Sequence, residues 1–225
     1  MSSSPWIKWT QNRYNHLLLL IFGLLISIAL PETQTMTRSI MLMLFSVAML
    51  SIIRRIRPGR WWLKYYAGLV LLNLSVLGLQ LIGLLNIATW NHGPSAIALI
   101  LLIVISVPIW LLQQEFFCTR KVTADTLKGG IALYVLMGVD WSLFYVILFD
   151  FDPSSFYGIN PFQFQSDFLH FSFVTLTTLG YGNILPLGTT VRLSSDLEAI
   201  AGIMYPAILI SRLVSLYNTD SQEPL

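Results

Sequence analysis

Thr177-Thr178-Leu179-Gly180-Tyr181-Gly182-Asn183 is the stretch whose reading decides how this chain folds. Two threonines lead into glycines that alternate with the large side chains of Leu179 and Tyr181. A backbone that aims successive carbonyls at one narrow axis needs dihedrals that side-chain-bearing residues resist, and Gly180 and Gly182 supply that freedom. Tyr181 can then point back into protein and brace the segment, with Leu179 packed behind it. Taken alone, the same glycines would suit an ordinary Gly-rich turn. The flanks decide between the two.

Upstream, Phe168-Leu169-His170-Phe171-Ser172-Phe173-Val174-Thr175-Leu176 reads as a helix of about three turns. That is about 16 Å, or half of a hydrocarbon layer roughly 30 Å thick. Such a segment re-enters on the side it came from, and its irregular continuation requires surrounding protein or a water-filled cavity. Ser166 or Asp167 is expected to cap the outer end, where an acidic side chain suits the helix N-terminus. The opposite, partially negative end then faces the membrane centre and favours a dehydrated cation there. A buried core helix followed by a loop is the alternative, and it leaves the two glycines without a purpose.

The composition sets the wider frame. Of 225 residues 55% are hydrophobic and 11% charged, the mean hydropathy is +0.69, and the apolar residues come in long blocks. The fold class expected is an all-α polytopic membrane protein. A formal charge of +2 gives no reason for a nucleic-acid partner. The single Cys118 excludes an internal disulfide, and no Cys/His cluster has metal-site spacing. Without a paired nucleophile and base or a cofactor motif, neither an enzyme nor an organic cofactor is expected.

Six apolar runs, at 16–30, 39–53, 65–88, 95–112, 129–149 and 192–217, read as transmembrane helices. The first is short, ends at Pro31, and needs tilt to cross. Ser27 and Ala29 before Pro31 also fit a cleaved signal peptide. The second stops at Arg54, Arg55, Arg57, Arg60 and Lys64, beside Trp61 and Trp62. Placing this cluster in the cytoplasm with Lys8, Arg13, Arg120, Lys121, Lys128 and Arg212 leaves only Arg38 and Arg192 outside. The positive-inside rule then gives cytoplasmic N- and C-termini and a 177–183 segment that opens outward. The basic cluster is a topology determinant and interfacial anchor, and could also bind anionic lipid.

Thr178 to Gly182 resembles the TxGYG filter of potassium-channel pores, and the resemblance covers about 129–217. It implies that Thr178, Leu179, Gly180, Tyr181 and Gly182 coordinate K+ ions, with Thr177, Asn183 and His170 supporting them. It further implies a homotetramer, since each chain carries one filter segment. Asn183 stands where many relatives carry Asp, and His170 stands where relatives place an aromatic residue, so a His170 to Asn183 hydrogen bond is expected behind the filter. A pH-sensitive filter is the stronger form of that expectation. Gly202 follows Gly180 at the spacing of the family's hinge glycine, and Pro206 frees the Gly202 carbonyl, so a bend is expected there. Ile203, Pro206, Ile210 and Val214 fall at pore-facing positions and could close the cavity by dewetting.

The resemblance divides the chain into a four-helix peripheral unit (1–114), a cytoplasmic linker (115–128), a pore domain (129–217) and a short tail (218–225). Voltage-gated relatives carry arginines along the fourth helix, whereas 95–112 holds no charge, so weak or absent voltage gating is expected. No cytoplasmic ligand domain fits in the tail. Asp140, Asp196 and Glu198 are intramembrane or near-membrane carboxylates, and Asn73 and Gln80 share a face that could meet Asp140. The function expected is passive, potassium-selective conduction across a bacterial inner membrane. The alternatives are a weakly selective cation channel and a non-conducting or modulatory membrane subunit.

Overall fold

A computed structural model describes residues 13–29, 35–56, 60–84, 92–118, 124–160 and 163–220. The expectations that fall on Lys8, Pro31, Arg57, Arg120, Lys121 and 221–225 lie outside these residues, as do the side chains of Arg13, Ser27, Ala29, Arg38, Arg55, Arg60 and Cys118. Among the described residues the helices are α1 Arg13–Ala29, α2 Thr35–Ile56, α3 Arg60–Leu81, α4 Gly93–Cys118, α5 Ala124–Phe151, α6 Phe164–Leu176 and α7 Thr189–Asp220.

Four of them hold stretches long and apolar enough to cross a membrane: Trp61–Leu81, Gly93–Gln114, Leu127–Phe151 and Thr189–Ser215. Among the residues whose side chains are described, the apolar stretches of α1 and α2 are Asn15–Ile26 and Ser39–Ser51. The third apolar run reaches 88 in the sequence, but its helix stops at Leu81. Gly83 takes φ +77, and the amides of Gly83 and Leu84 turn back to the carbonyls of Gln80 and Leu79 at 3.1 and 3.0 Å. That glycine-capped stop satisfies the last carbonyls of the helix.

The five long helices that precede α6 pack around a core of Leu17, Ile21, Phe45, Met49, Tyr66, Val104, Ile105 and Leu136. Polar residues in that core are paired differently from the sequence expectation. Asn73 does not meet Asp140; its amide donates to the Ser46 hydroxyl on α2 at 2.8 Å. Asp140 instead accepts from Ser106 on α4 at 2.7 Å. Gln80 faces a cavity of about 170 Å³ among α1 to α6. Pro108, inside α4, leaves the carbonyl of Val104 without its helical amide, and the hydroxyl of Tyr66 on α3 donates to that carbonyl at 2.7 Å.

After α5 a 3₁₀ turn at Pro153–Ser155 leads to β1 Phe156–Tyr157. This pairs antiparallel with β2 Leu185–Pro186, with Phe156 opposite Pro186 and Tyr157 opposite Leu185. The ribbon is absent from the all-α expectation, because two-residue strands leave no periodicity to read. It ties the approach to α6 to the segment that leaves it. The amides of Leu187 and Gly188 reinforce the tie by donating to the Ser155 carbonyl at 2.8 and 3.1 Å.

Candidate functional site

Phe168 and Phe171 are buried on one side of α6 and seat it in an aromatic cluster with Tyr145, Phe149 and Phe156. The rings meet mostly edge to face, with centroids 4.9 Å apart for Phe156 and Phe168 and 5.0 Å for Tyr145 and Phe171. Each such pair contributes about 0.5–1.5 kcal/mol beyond burial and fixes the helix rotation. At 13 residues α6 spans about 20 Å, one turn more than the sequence implies.

The N-terminal cap differs from expectation. Gln163 is the N-cap and makes no side-chain cap bond. Asp167 lies in the first turn and accepts from the amide of Asn160 at 2.8 Å, while the Ser166 hydroxyl donates to the Gln163 carbonyl. The carboxylate therefore keeps its place at the positive end of the helix while holding the preceding loop.

At the other end α6 stops as α3 does, without the glycine. The amides of Thr178 and Leu179 both return at 2.9 Å, to the carbonyls of Thr175 and Val174, and Thr178 occupies the left-handed position with φ +57. A β-branched residue there is strained by about 1–3 kcal/mol. Gly180 and Gly182 follow with φ +64 and +76, whereas Leu179 and Tyr181 are not in the positive-φ set. Alternating the sign of φ turns over every second peptide and brings carbonyls that a plain strand would alternate round to a common side. The glycines were legible in the sequence; the left-handed Thr178 was not. Its hydroxyl donates to the Thr177 carbonyl at 2.7 Å, and that of Thr177 to the Phe173 carbonyl at 2.6 Å.

Leu179 and Tyr181 do not pack behind the segment within the chain. They are 56% and 67% exposed, and a hollow of about 330 Å³ lies between the segment and α7, bordered by Thr178, Gly180, Gly182, Ser195 and Asp196. His170 is stacked on Tyr181 with centroids 5.8 Å apart and planes 10° from parallel. No hydrogen bond joins His170 to Asn183 among the described residues. Asn183 is instead placed by backbone approach: a Cβ at Gly158, whose φ is +87, would collide with its carbonyl oxygen. Gly158→Ala is therefore expected to displace Asn183 and to lower the thermal midpoint of the purified protein by at least about 3 °C, although it lies far from 177–183 in sequence.

Gly202 faces α6 rather than an open hinge. A Cβ there would run into the carbonyl of Leu176 at the end of α6. The hydroxyl of Tyr134 on α5 donates to the same carbonyl at 3.2 Å, and Tyr134 stacks on Tyr205, whose own hydroxyl donates to Gly130 at 3.0 Å. The helix α7 continues through Pro206 to Asp220. Ile203, Ile210 and Val214 are exposed along it and Pro206 is half-buried. Tyr134, Gly158 and Tyr205 escaped the sequence reading because their roles rest on contacts across 25 residues or more.

Residues 129–218 match a family model described as an ion channel. Protein LctB of Geobacillus stearothermophilus is 31% identical over 103 residues, covering 43% of this chain and 75% of that protein. Protein LctB of Bacillus caldotenax is 27% identical over 113 residues, covering 47% and 81%. No solved structure matches the chain.

Proposed function

We propose that this chain, which belongs to the ion channel family matched by residues 129–218 and is a relative of protein LctB, forms a potassium-selective pore. The observation that carries the proposal is the alternation of positive φ at Thr178, Gly180 and Gly182, directly after a half-membrane helix. Carbonyls turned to a common side can replace the water around a dehydrated K+, and the negative end of α6 adds to the same field. Thr178, Leu179, Gly180, Tyr181 and Gly182 are the proposed K+ sites. Thr177, Asn183 and His170 are their supports.

One filter segment cannot enclose an axis, so the pore is proposed to be a homotetramer. The exposed Leu179 and Tyr181 and the unfilled hollow beside them support this, as complementary parts that neighbouring copies could bring together. So does α7, of whose apolar window 17% is buried, against 44% for α4 and for α5. In that assembly Ile203, Pro206, Ile210 and Val214 line the inner cavity, with the four-helix unit (1–114), whose last helix α4 runs on to Cys118, outside the pore unit (129–217). All six apolar helices are proposed to cross a bacterial plasma membrane with both termini cytoplasmic. Trp61, Trp62 and Tyr65 are exposed at the start of α3 beside Arg54 and Lys64, which suits an interfacial anchor and an anionic-lipid contact. The charge-free apolar window of α4 favours weak voltage dependence.

Purified protein in planar bilayers under opposed K+ and Na+ gradients tests the proposal. The expected reversal potential lies close to the K+ equilibrium value. A value near zero would identify a weakly selective cation channel, and silence from intact assemblies a non-conducting subunit.

A further inference from the structure

Glu198 is fully buried on α7. Two hydroxyls reach it. Tyr145 on α5 donates to its Oε2 at 2.7 Å, and Ser172, in the middle of α6, places its Oγ 2.5 Å from Oε1. The same Ser172 Oγ lies 2.7 Å from the carbonyl oxygen of Gly138 on α5. Gly138 and Tyr145 sit two helical turns apart, hence on one face. A closed ring of contacts thus leaves α5, crosses α7 and α6, and returns to α5.

The hydrogens available decide the charge of Glu198. Tyr145 and Ser172 bring one each. With the Tyr145 hydrogen directed at Oε2, a single Ser172 hydrogen faces two acceptors, the Gly138 carbonyl and Oε1. If Glu198 were a carboxylate, one of those contacts would set oxygen lone pairs against each other at hydrogen-bond distance, between side chains that are both fully buried. Among the described residues no cation offsets such a charge. Across α5 and α6 the groups in contact are the neutral Tyr145 and Ser172; Tyr134 on α5 is within electrostatic reach of Glu198, and Ser195 and Asp196 on α7 act on Tyr145. A buried carboxylate with no cationic partner is heavily penalised.

We infer that Glu198 is a neutral carboxylic acid that positions the pore helix. Its Oε1–H donates to Ser172, the Ser172 hydroxyl donates to Gly138, and Tyr145 donates to Oε2, so that every donor has one acceptor. The hydrogen of Glu198 sets the depth and rotation of α6 against both long helices, and with them the position from which Thr178 to Gly182 departs. This holds whichever ion passes through the pore, so its failure and that of potassium selectivity are separate outcomes.

The test uses the purified full chain. An infrared difference spectrum of wild type against Glu198→Gln should contain the carbonyl stretch of a protonated carboxylic acid, which the variant lacks. Ser172→Ala should shift that band to higher frequency by removing its acceptor. Gln offers one donor and one acceptor in the same places as a neutral acid, so Glu198→Gln should keep the thermal midpoint within about 3 °C of wild type and keep the current. Glu198→Ala, which strands Ser172 and Tyr145, should lose both. A carboxylate band in place of the acid band would overturn the inference, and so would a Glu198→Gln protein that fails to assemble.

Discussion

Gly202→Ala is expected to abolish conduction and to lower stability more than any other single-methyl addition in α5 or α7. The added Cβ would collide with the carbonyl oxygen, carbonyl carbon and Cα of Leu176, all backbone atoms at the end of the pore helix. Overpacking usually costs about 1–3 kcal/mol when side chains can move aside. Backbone held by the capping bonds of Thr178 and Leu179 has little room, so about 3 kcal/mol is expected. Two neighbouring glycines calibrate the effect. At Gly138 a Cβ would meet the ring of Phe173 at 2.8 Å, and at Gly130 the Cδ1 of Leu209 at 2.9 Å. Both are side chains, and Leu209 has the more freedom, so thermal midpoints should fall in the order Gly202→Ala, Gly138→Ala, Gly130→Ala, with the first lowest. A Gly202→Ala protein that keeps its midpoint and changes only open probability would restore the hinge role implied by its spacing.

Gly202 shows what a sequence can and cannot carry. Its spacing from Gly180 was legible, but a glycine needed for bending and one needed for close approach look identical until the Leu176 carbonyl is seen beside it. The same holds for the polar residues of the membrane interior. Asn73 and Asp140 could be recognised as needing partners, yet which hydroxyl answers each depends on helix rotation, and Ser46 and Ser106 are unremarkable in sequence. The half-length helix before Thr177 was legible because membrane thickness fixes what a short apolar segment can do. Its cap was not, because Asn160, Gln163 and Asp167 divide the task through a loop. The spans were legible as apolar blocks.

Gly180→Ala and Gly182→Ala are expected to remove the proposed potassium selectivity for a reason distinct from crowding. Within one subunit nothing lies within 4 Å of a Cβ built on either glycine. What resists the substitution is the backbone, at φ +64 and +76. An L-residue pays about 1–2 kcal/mol to stay left-handed, and Thr178 already bears such a strain at φ +57. A second strained residue in the same run removes the advantage of alternation, and the cost recurs in every copy around the proposed axis. Returning φ to negative values relieves the strain but swings the intervening carbonyl out of line with its neighbours, so a proposed ion site is lost whichever way the chain relaxes. In bilayers under opposed K+ and Na+ gradients the reversal potential of either variant should move toward zero, or the current should vanish. The thermal midpoint of each subunit should fall by much less than in Gly202→Ala, because the packing of α5, α6 and α7 is untouched. A Gly180→Ala channel that retained wild-type selectivity would mean that the alternating carbonyls of Thr178 to Gly182 are not what chooses the ion.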